Sequence, residues 1–325
     1  MIVTFLSGAI AMGVIYLYAC LGETIIEKVG NLNLGIPGIM CLGALGGAIG
    51  VNLYFAIFGD NVISIVLILF GLIFSMLFAA FGGLIYSFLT VSLQANQNVT
   101  GLALTTFGVG LMRFIGSSMD ITKFPLASNS FKNMSNFESN GTVFWNFIKG
   151  LYDIFLTHGV LVYLSFILAI IISIVIYKTR TGLYIRAIGE SPQTADSQGI
   201  DVSRYKYLCI IIGSSIAGIG GLYYVFDRSG GTTFVEASIE AFGWMSVALV
   251  IFSMWKPLRG ALGSILFGGL YILPQFLPIS NTQLKIFAIL PYVVTVIVLI
   301  FTSIFDRKDS QPPKSLGVNY FREER

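Results

Sequence analysis

Charged residues are scarce in this chain of 325 residues, in which Asp, Glu, Lys and Arg together make up only 11%. Soluble domains carry roughly a quarter of their residues as charges, so this composition argues against a large water-soluble domain. The sequence also lacks a long basic stretch and any soluble segment that interleaves aromatic with basic residues. These absences exclude a nucleic-acid-binding protein of the usual kind.

Residue types that perform catalysis or bind metals are equally scarce. No Gly-x-x-x-x-Gly-Lys-Ser/Thr phosphate loop occurs, so we expect no ATPase site in this chain. His158 is the single histidine, and Cys20, Cys41 and Cys209 stand in apolar stretches at no metal-ligand spacing. The cysteines suit small packing positions, and His158 suits a capping or interfacial role. The sequence therefore predicts no enzyme, no catalytic residue, no metal site and no cofactor bound by this chain.

Long apolar runs are what the sequence has in abundance, with 55% hydrophobic residues and 36 glycines. Runs of about 20 residues can span a hydrocarbon core of about 30 Å, and small residues allow close helix contacts in lipid. We predict about nine membrane segments in an all-α polytopic helical bundle. The transmembrane domain covers 1–305 and a cytoplasmic tail covers 306–325. The predicted segments lie at about 2–21, 36–57, 62–89, 101–118, 154–177, 206–226, 240–255, 260–278 and 284–305.

The distribution of lysine and arginine predicts the orientation. These residues concentrate in the loop 178–205 and the residue after it, in the turn 256–259 and in the tail. All three fall on one side if the last four segments each cross once, and the positive-inside rule makes that side the cytoplasm. Counting back places the N-terminus outside and the C-terminus in the cytoplasm. The polar segment 119–149 is then also outside.

The loop 178–205 contains the signature of a short helix. Ser191 suits the N-cap, Pro192 the first helical position and Gly199 the position just past the end. A helix led by small and polar residues has no apolar face to bury in its own chain, so it can dock in the groove of a partner. Ala195 and Gly199 are four residues apart and are expected to share its exposed face. From spacing alone, a solvated loop with a short capped helix is an equally good interpretation.

A second polar stretch, residues 22–38, separates the first two apolar runs. Its glycines and Pro37 are expected to break helical continuity. Broken backbone at membrane depth is tolerated only inside protein or beside a water-filled cavity, and interrupted helices often mark a translocation path. Asn31 and Asn33 could present their amides to a neutral polar solute. The alternative is an ordinary cytoplasmic turn after a glycine-capped helix.

The C-terminal half adds weaker candidates for lining such a path. Residues 213–221 give a small-residue helix face suited to close packing. Phe242, Trp244 and Met245 follow, and aromatic faces of this kind can stack on a base or a sugar. Ordinary helix packing is the alternative for these residues.

The loop motif carries a resemblance to a known family. It resembles the coupling-helix motif of ABC importer permeases, in the branch that handles nucleosides, simple sugars and branched-chain amino acids. The Asn-Leu-Asn-Leu-Gly run at 31–35 resembles the same region of permeases for purine nucleosides. The resemblance extends from residue 22 to about residue 305. The positions that match the coupling motif are Arg186, Gly189, Pro192, Ala195, Gly199 and Ile200.

The resemblance implies a type II ABC importer permease in a bacterial cell membrane. In that family the coupling element docks on ATPase subunits, which bind ATP and Mg²⁺, and an extracellular lipoprotein delivers the solute. The chain has fewer segments than the ten or so of many members, which implies a paralogous second permease in a heterodimer. The implied solute is a nucleoside, with simple sugars next and a flavin-like heteroaromatic compound as a further possibility.

Two alternatives remain at this stage. An ion-coupled secondary transporter of a small polar solute needs an ionisable group buried near the middle of the membrane. Arg113, Asp153, Glu236 and Glu240 lie near predicted helix ends or the outer surface, so the sequence offers none. A membrane-embedded enzyme acting on lipid needs a clustered catalytic set, which the sequence also does not show.

Overall fold

The apolar runs fold into helices throughout the described part of the chain. The computed structural model describes residues 1–132, 143–277, 287, 289–304 and 311–321. Every regular element in these ranges is a helix, which confirms the predicted all-α class. The helices are α1 (Ile2–Lys28), α2 (Ile36–Phe58), α3 (Ser64–Ser87), α4 (Gln97–Gly116), α5 (Phe124–Phe131), α6 (Val143–Phe155), α7 (Val160–Lys178), α8 (Arg180–Glu190), α9 (Pro192–Ser197), α10 (Val202–Tyr223), α11 (Glu236–Ser253), α12 (Pro257–Ile272) and α13 (Leu290–Ile304). Single π-helical turns extend α3 and α10, and a 3₁₀ turn follows α12, at Phe88–Ser92, Tyr224–Arg228 and Leu273–Phe276.

Seven helices are long and apolar enough to cross a membrane, judged by length and composition over the described ranges. They are α1 to α4, α7, α10 and α11, including the π-helical turns of α3 and α10. The eighth and ninth predicted segments overlap α12 and α13, which have only 16 and 15 residues. The polytopic membrane class is confirmed, and the predicted count of about nine is slightly high for helices of spanning length. Parts of those two predicted segments lie outside the described residues.

Three helices, α1, α2 and α10, form the centre of the bundle. Almost every residue of α1 from Ala9 to Glu27 is buried, and so are most residues of α2 and α10. A helix that is apolar all round belongs in such an interior. By contrast, α3 and α7 leave apolar side chains exposed, for example Ile65, Ile73 and Ile170. Exposed apolar side chains of this kind suit contact with lipid tails.

Glycines allow the central helices to approach closely. A Cβ atom on Gly22 of α1 would collide with the carbonyl oxygen of Gly213 on α10. A Cβ atom on Gly43 of α2 would collide in the same way with the backbone of Gly218. The small-residue face predicted at 213–221 is therefore a helix-packing surface, as expected from its composition.

The loops gather at two opposite ends of the bundle. At one end, Lys123 and Asp60 form an ion pair with an N–O distance of 2.7 Å, which joins the α2–α3 and α4–α5 loops. At the other end, the indole of Trp255 donates a hydrogen bond to Glu27. The C-terminal segment, residues 311–321, bonds to the end of α8 at this second end. The three basic segments thus lie together, and the assignment of their end to the cytoplasm stays a prediction.

Two predicted segments have more structure than the sequence suggests. The polar segment 119–149 contains α5 and the beginning of α6, while residues 133–142 lie outside the described ranges. In the predicted tail 306–325, the C-terminal segment turns back onto the ends of the helices. The division between a domain at 1–305 and a tail stays a prediction.

Candidate functional site

The first candidate site lies where the chain passes from α1 to α2. The helix α1 continues through Gly22 and ends at Lys28, so the predicted interruption at Gly22 is wrong. The helix is preserved there because Gly22 packs against α10, where tertiary contact outweighs the low helix propensity of glycine. The non-helical backbone is limited to residues 29–35, which we call the α1–α2 break. Pro37 lies in the first turn of α2, where proline fits without loss of a hydrogen bond.

The α1–α2 break rises into the bundle. A Cβ atom on Gly243 of α11 would lie 2.5 Å from the Cα atom of Pro37, so α11 rests directly on the beginning of α2. Gly243 precedes the end of α11 at Ser253 by ten residues, which corresponds to about 15 Å along a helix. The α2 helix therefore begins well inside the span of α11. Of the two interpretations that the sequence leaves open, this placement fits irregular backbone inside the bundle, and a role in lining a translocation path stays a prediction.

Neighbouring helices satisfy the backbone of the α1–α2 break. The Leu32 N–H donates to Oε1 of Gln97 at 2.7 Å, and the Tyr86 hydroxyl donates to the Leu32 carbonyl at 2.5 Å. The Thr105 hydroxyl donates to the Leu34 carbonyl at 2.9 Å. Buried backbone groups that are left unpaired are expensive, and these side chains from α3 and α4 remove that cost.

The side-chain amides of the α1–α2 break remain partly unpaired. Asn33 is fully buried; its N–H donates to Glu23 at 3.2 Å, and its Oδ1 accepts from the Gly35 N–H at 2.9 Å. Within the described residues, both amide atoms of Asn31, Nδ2 of Asn33 and Oε2 of Glu23 have no hydrogen-bond partner. A buried polar group without a partner costs about 1–3 kcal/mol. The arrangement therefore favours occupation of this place by water or a polar solute.

A pair of buried carboxyl groups stands beside the break and was missed by sequence reasoning. Glu23 and Glu27 lie one helical turn apart on α1, with exposed fractions of 1% and 3%. Trp255 donates its indole N–H to Oε2 of Glu27. Both residues lie in the stretch whose glycines predict an interruption of the helix, so the sequence pattern alone does not indicate a buried ionisable group. A continuous α1 with its four-residue spacing is the signal that identifies the pair.

The other candidates for lining a translocation path lie in α11, next to Gly243, which packs against Pro37. Phe242 and Met245 are buried and Trp244 is half-buried. Phe242 belongs to an aromatic cluster, with ring centroids 5.1 Å from Tyr224, 5.5 Å from Tyr271 and 5.9 Å from Tyr16. In the described residues, the contact of Gly243 with Pro37 joins this cluster to the break. The structure thus brings the two candidate groups to one junction but does not merge them into a single side-chain cluster.

The predicted short helix in the loop 178–205 is present as α9. Its N-cap is Ser191, whose Oγ accepts from the Thr194 N–H at 3.3 Å, and Pro192 is in its first turn. Gly199 follows the end of α9 with φ of +81°, a left-handed conformation that favours glycine. The structure also contains α8 within this loop, a helix that the sequence pattern does not indicate. It is capped by Thr179, whose Oγ1 accepts from the Gly182 N–H at 3.1 Å.

Half of the residues that match the coupling motif are buried within α8 and α9, and only one of them is fully exposed. Gly189, Pro192 and Ala195 are buried, Arg186 and Ile200 are half-buried, and Gly199 is exposed. The expected outward face shared by Ala195 and Gly199 is therefore wrong, because Ala195 is 3% exposed and packs inside its own chain. The expectation that α9 buries nothing in its own chain is wrong for the same reason.

The exposed surface of α9 is polar. The exposed side chains of α9 could not be identified from the sequence, because spacing does not tell which face of a two-turn helix points inward. The exposed residues of α9 and of the turn that follows are Gln193, Thr194, Ser197, Gln198 and Gly199. The role of this surface in ATPase docking stays a prediction.

Metal-ligating residue types are dispersed. The described ranges contain no group of three or more His, Cys, Asp or Glu side chains that could hold a metal ion. His158 donates from its Nε2–H to the carbonyl oxygen of Ile154, near the end of α6, at an N–O distance of 2.9 Å. Burial lowers the pKa of His158, so the neutral form is favoured in this capping position.

Comparison with known proteins gives a consistent set of relatives. The family described as "Branched-chain amino acid transport system / permease component" matches residues 5–302. A putative glucose ABC transporter permease of Haloferax volcanii is 31% identical over 98% of this chain and 97% of its own length. A nucleoside ABC transporter permease of Lactococcus lactis is 30% identical over 94% and 93% of the two chains. A guanosine ABC transporter permease of Bacillus subtilis is 28% identical over 94% and 92%. No solved structure matches the chain.

Proposed function

Because this chain belongs to the permease family of branched-chain amino acid transport systems, we propose that it is the membrane-spanning permease subunit of an ATP-driven importer of nucleosides. The observation that carries the proposal is the α1–α2 break, where unpaired amides lie inside a bundle of spanning helices. The subunit performs no catalysis. Partner ABC ATPase subunits hydrolyse ATP with Mg²⁺, and this chain binds no cofactor.

Three observations support a nucleoside as the solute. Two of the three relatives are named for nucleosides or guanosine. The Asn31 amide can both donate and accept hydrogen bonds, as the edge of a base or a ribose requires. The aromatic cluster at Phe242 offers ring faces beside the same junction. A simple sugar is the runner-up, since the first relative is named for glucose.

Transport in this proposal is a two-state equilibrium between outward-open and inward-open forms. ATP binding by the partner biases that equilibrium through α9. An extracellular binding lipoprotein delivers solute at the end of the bundle opposite α9. A second permease, which we expect to be a paralogue, completes the path. The N-terminus is outside and the C-terminus is in the cytoplasm of a bacterial cell.

Co-purification tests the ATP-driven assignment. The tagged chain is extracted from its native membrane in mild detergent, and its partners are identified by mass spectrometry. Ser197→Arg alters the exposed face of α9, and Ser118→Arg makes the same change on an exposed residue near the opposite end. We expect an ABC ATPase with the parent chain and with Ser118→Arg, and at least a tenfold lower yield with Ser197→Arg. A folded parent chain that repeatedly recovers no ATPase overturns the assignment.

Uptake measurements test the solute and the role of the break. Cells that contain the complete transporter take up labelled guanosine, with unlabelled nucleosides and glucose as competitors. Asn31→Ala removes an amide that has no partner in the described structure, so thermal stability should not fall. Uptake should fall at least several-fold if that amide meets the solute. Unchanged guanosine uptake in Asn31→Ala removes Asn31 from the pathway, and competition by glucose alone favours the sugar.

The buried carboxyl pair keeps an ion-coupled carrier as the second candidate. Glu23 and Glu27 are the buried ionisable groups that favour it, although they lie in the last two turns of α1, near a loop end of the bundle, and not near the middle of the span. Uptake that persists in ATP-depleted cells and stops when the ion gradient is dissipated would favour it. Uptake that stops on ATP depletion with the gradient maintained favours the importer.

A further inference from the structure

The C-terminal segment, residues 311–321, is fixed to distant parts of the chain. Ser315 donates its backbone N–H at 2.9 Å and its hydroxyl at 2.7 Å to the carbonyl oxygen of Gly189, at the end of α8. Asn319 donates to the Gln94 carbonyl at 2.5 Å and accepts from Nε2 of Gln97 at 3.0 Å. Each bond contributes about 0.5–1.5 kcal/mol, and together they hold the segment against α8 and the α3–α4 loop.

Two glycines, Gly30 and Gly189, lie on the surface against which the C-terminal segment packs, which we call its seat. Gly30 in the α1–α2 break has φ of +92°, and its carbonyl accepts from the Gly317 N–H at 3.3 Å. A Cβ atom on Gly30 would collide with the Ser315 hydroxyl. A Cβ atom on Gly189 would lie 3.2 Å from Cβ of Pro313. The seat therefore requires small residues at two positions far apart in the sequence.

Two grooves run along α9, and the C-terminal segment forms a wall of each. The first has a volume of about 340 Å³ and lies between the end of α9, the beginning of α10 and Tyr320. The second has a volume of about 190 Å³ and lies between the beginning of α9 and the C-terminal segment. Tyr320 lines both grooves. Any protein surface seated on the exposed face of α9 thus has this segment beside it.

The chemistry of the grooves indicates a protein partner. Asp201 is exposed and lines the first groove, and none of the described residues that line this groove is Lys or Arg, so the groove fits a basic side chain of a protein partner. In the second groove, Val318 is 57% exposed beside Lys314 and Gln193. An exposed valine flanked by polar groups fits an apolar side chain from another protein.

From these contacts we propose that the C-terminal segment is the second half of the ATPase docking surface, next to α9. The inference rests on the proposed function, because it requires α9 to dock on an ABC ATPase. The ATPase surface that fits presents a basic side chain to Asp201 in the first groove and an apolar side chain to Val318 in the second. The segment thereby extends the contact beyond the short polar face of α9.

Site-directed crosslinking of the assembled transporter tests this inference. Single cysteines are introduced by Val318→Cys and Lys314→Cys on the C-terminal segment, Ser197→Cys on α9, and Val235→Cys at the opposite end. Cys20, Cys41 and Cys209 are all buried, so the native thiols give little background. Each variant in inverted membrane vesicles is labelled with a maleimide that carries a photoreactive group. After irradiation, the adducts are identified by mass spectrometry.

The inference expects ATPase adducts from Val318→Cys and Lys314→Cys at a yield within about threefold of Ser197→Cys, and none from the Val235→Cys control. ATPase adducts from Ser197→Cys alone overturn the inference and leave the proposed function standing. Lipid adducts from Val318→Cys and Lys314→Cys also overturn it, because they place the segment on the membrane surface. No ATPase adduct at any position, with no ATPase in the purified sample, overturns both.

Discussion

Gly243→Ala is the sharpest test of the junction between α11 and the beginning of α2. The added Cβ atom would lie 2.5, 2.8 and 3.0 Å from Cα, Cβ and Cγ of Pro37. Carbon atoms in contact prefer about 3.5–4.0 Å, so the two helices must separate by about 1 Å. Overpacking of this kind costs about 1–3 kcal/mol. Alanine also gains helix propensity over glycine, which offsets about 0.5–1 kcal/mol of that cost.

Gly110→Ala is a matched control because it makes the same change within α4. Nothing lies within 4 Å of a Cβ atom at Gly110, so this variant receives only the gain in helix propensity. The difference between the two variants therefore isolates the contact with Pro37, at about 1–3 kcal/mol in the free energy of unfolding.

Thermal unfolding in detergent, followed by circular dichroism, measures that difference. We expect Gly243→Ala to unfold at a lower temperature than the parent and Gly110→Ala to match or exceed the parent. Guanosine uptake should also fall in Gly243→Ala, because the displaced Pro37 adjoins the α1–α2 break. Equal stability of the two alanine variants would refute the contact and, with it, the placement of α2 inside the bundle.

Three further changes follow from individual contacts. Ser191→Ala removes the N-cap of α9 at a cost of about 1 kcal/mol to that helix, so the ATPase yield in co-purification should fall several-fold. The control Ser118→Ala should keep the yield of the parent chain. Equal yields from the two variants would mean that ATPase binding does not depend on the cap. Trp255→Phe leaves Glu27 without its indole donor and should lower the free energy of unfolding by about 1–3 kcal/mol, which an unchanged thermal transition would contradict. Burial lowers the pKa of His158, so stability should be complete above a pH of about 6.5 and decline as the pH falls through and below it. His158→Gln should flatten that decline, and a parent curve already flat over this range would disprove the effect.

Features with a local physical cause could be predicted from the sequence. The long apolar runs predict spanning helices because the bilayer leaves few other ways to satisfy the backbone. The order Ser191, Pro192 and Gly199 predicts both ends of α9 because capping depends on neighbours in the chain. The glycine and asparagine run at 31–35 predicts a break near its observed position.

Features that depend on distant partners could not be predicted in the same way. Gly22 stays helical because of Gly213, far away in the sequence. The inward face of Ala195 is set by tertiary packing, which spacing within two turns does not reveal. Glu23 and Glu27 emerge as a pair only once α1 is known to be continuous.

The contacts that hold the C-terminal segment in place can form only late in the synthesis of the chain. Gly30, Gln94 and Gly189 emerge from the ribosome long before Ser315 and Asn319, which bond to them. Chains are built and fold from the N-terminus onward, so α9 is exposed for a time without its neighbouring wall. If the proposed docking surface is correct, a nascent chain that has not reached residue 311 presents α9 to an ATPase without Val318 beside it. Under that proposal, stable binding of the ATPase should follow the synthesis of residues 311–321.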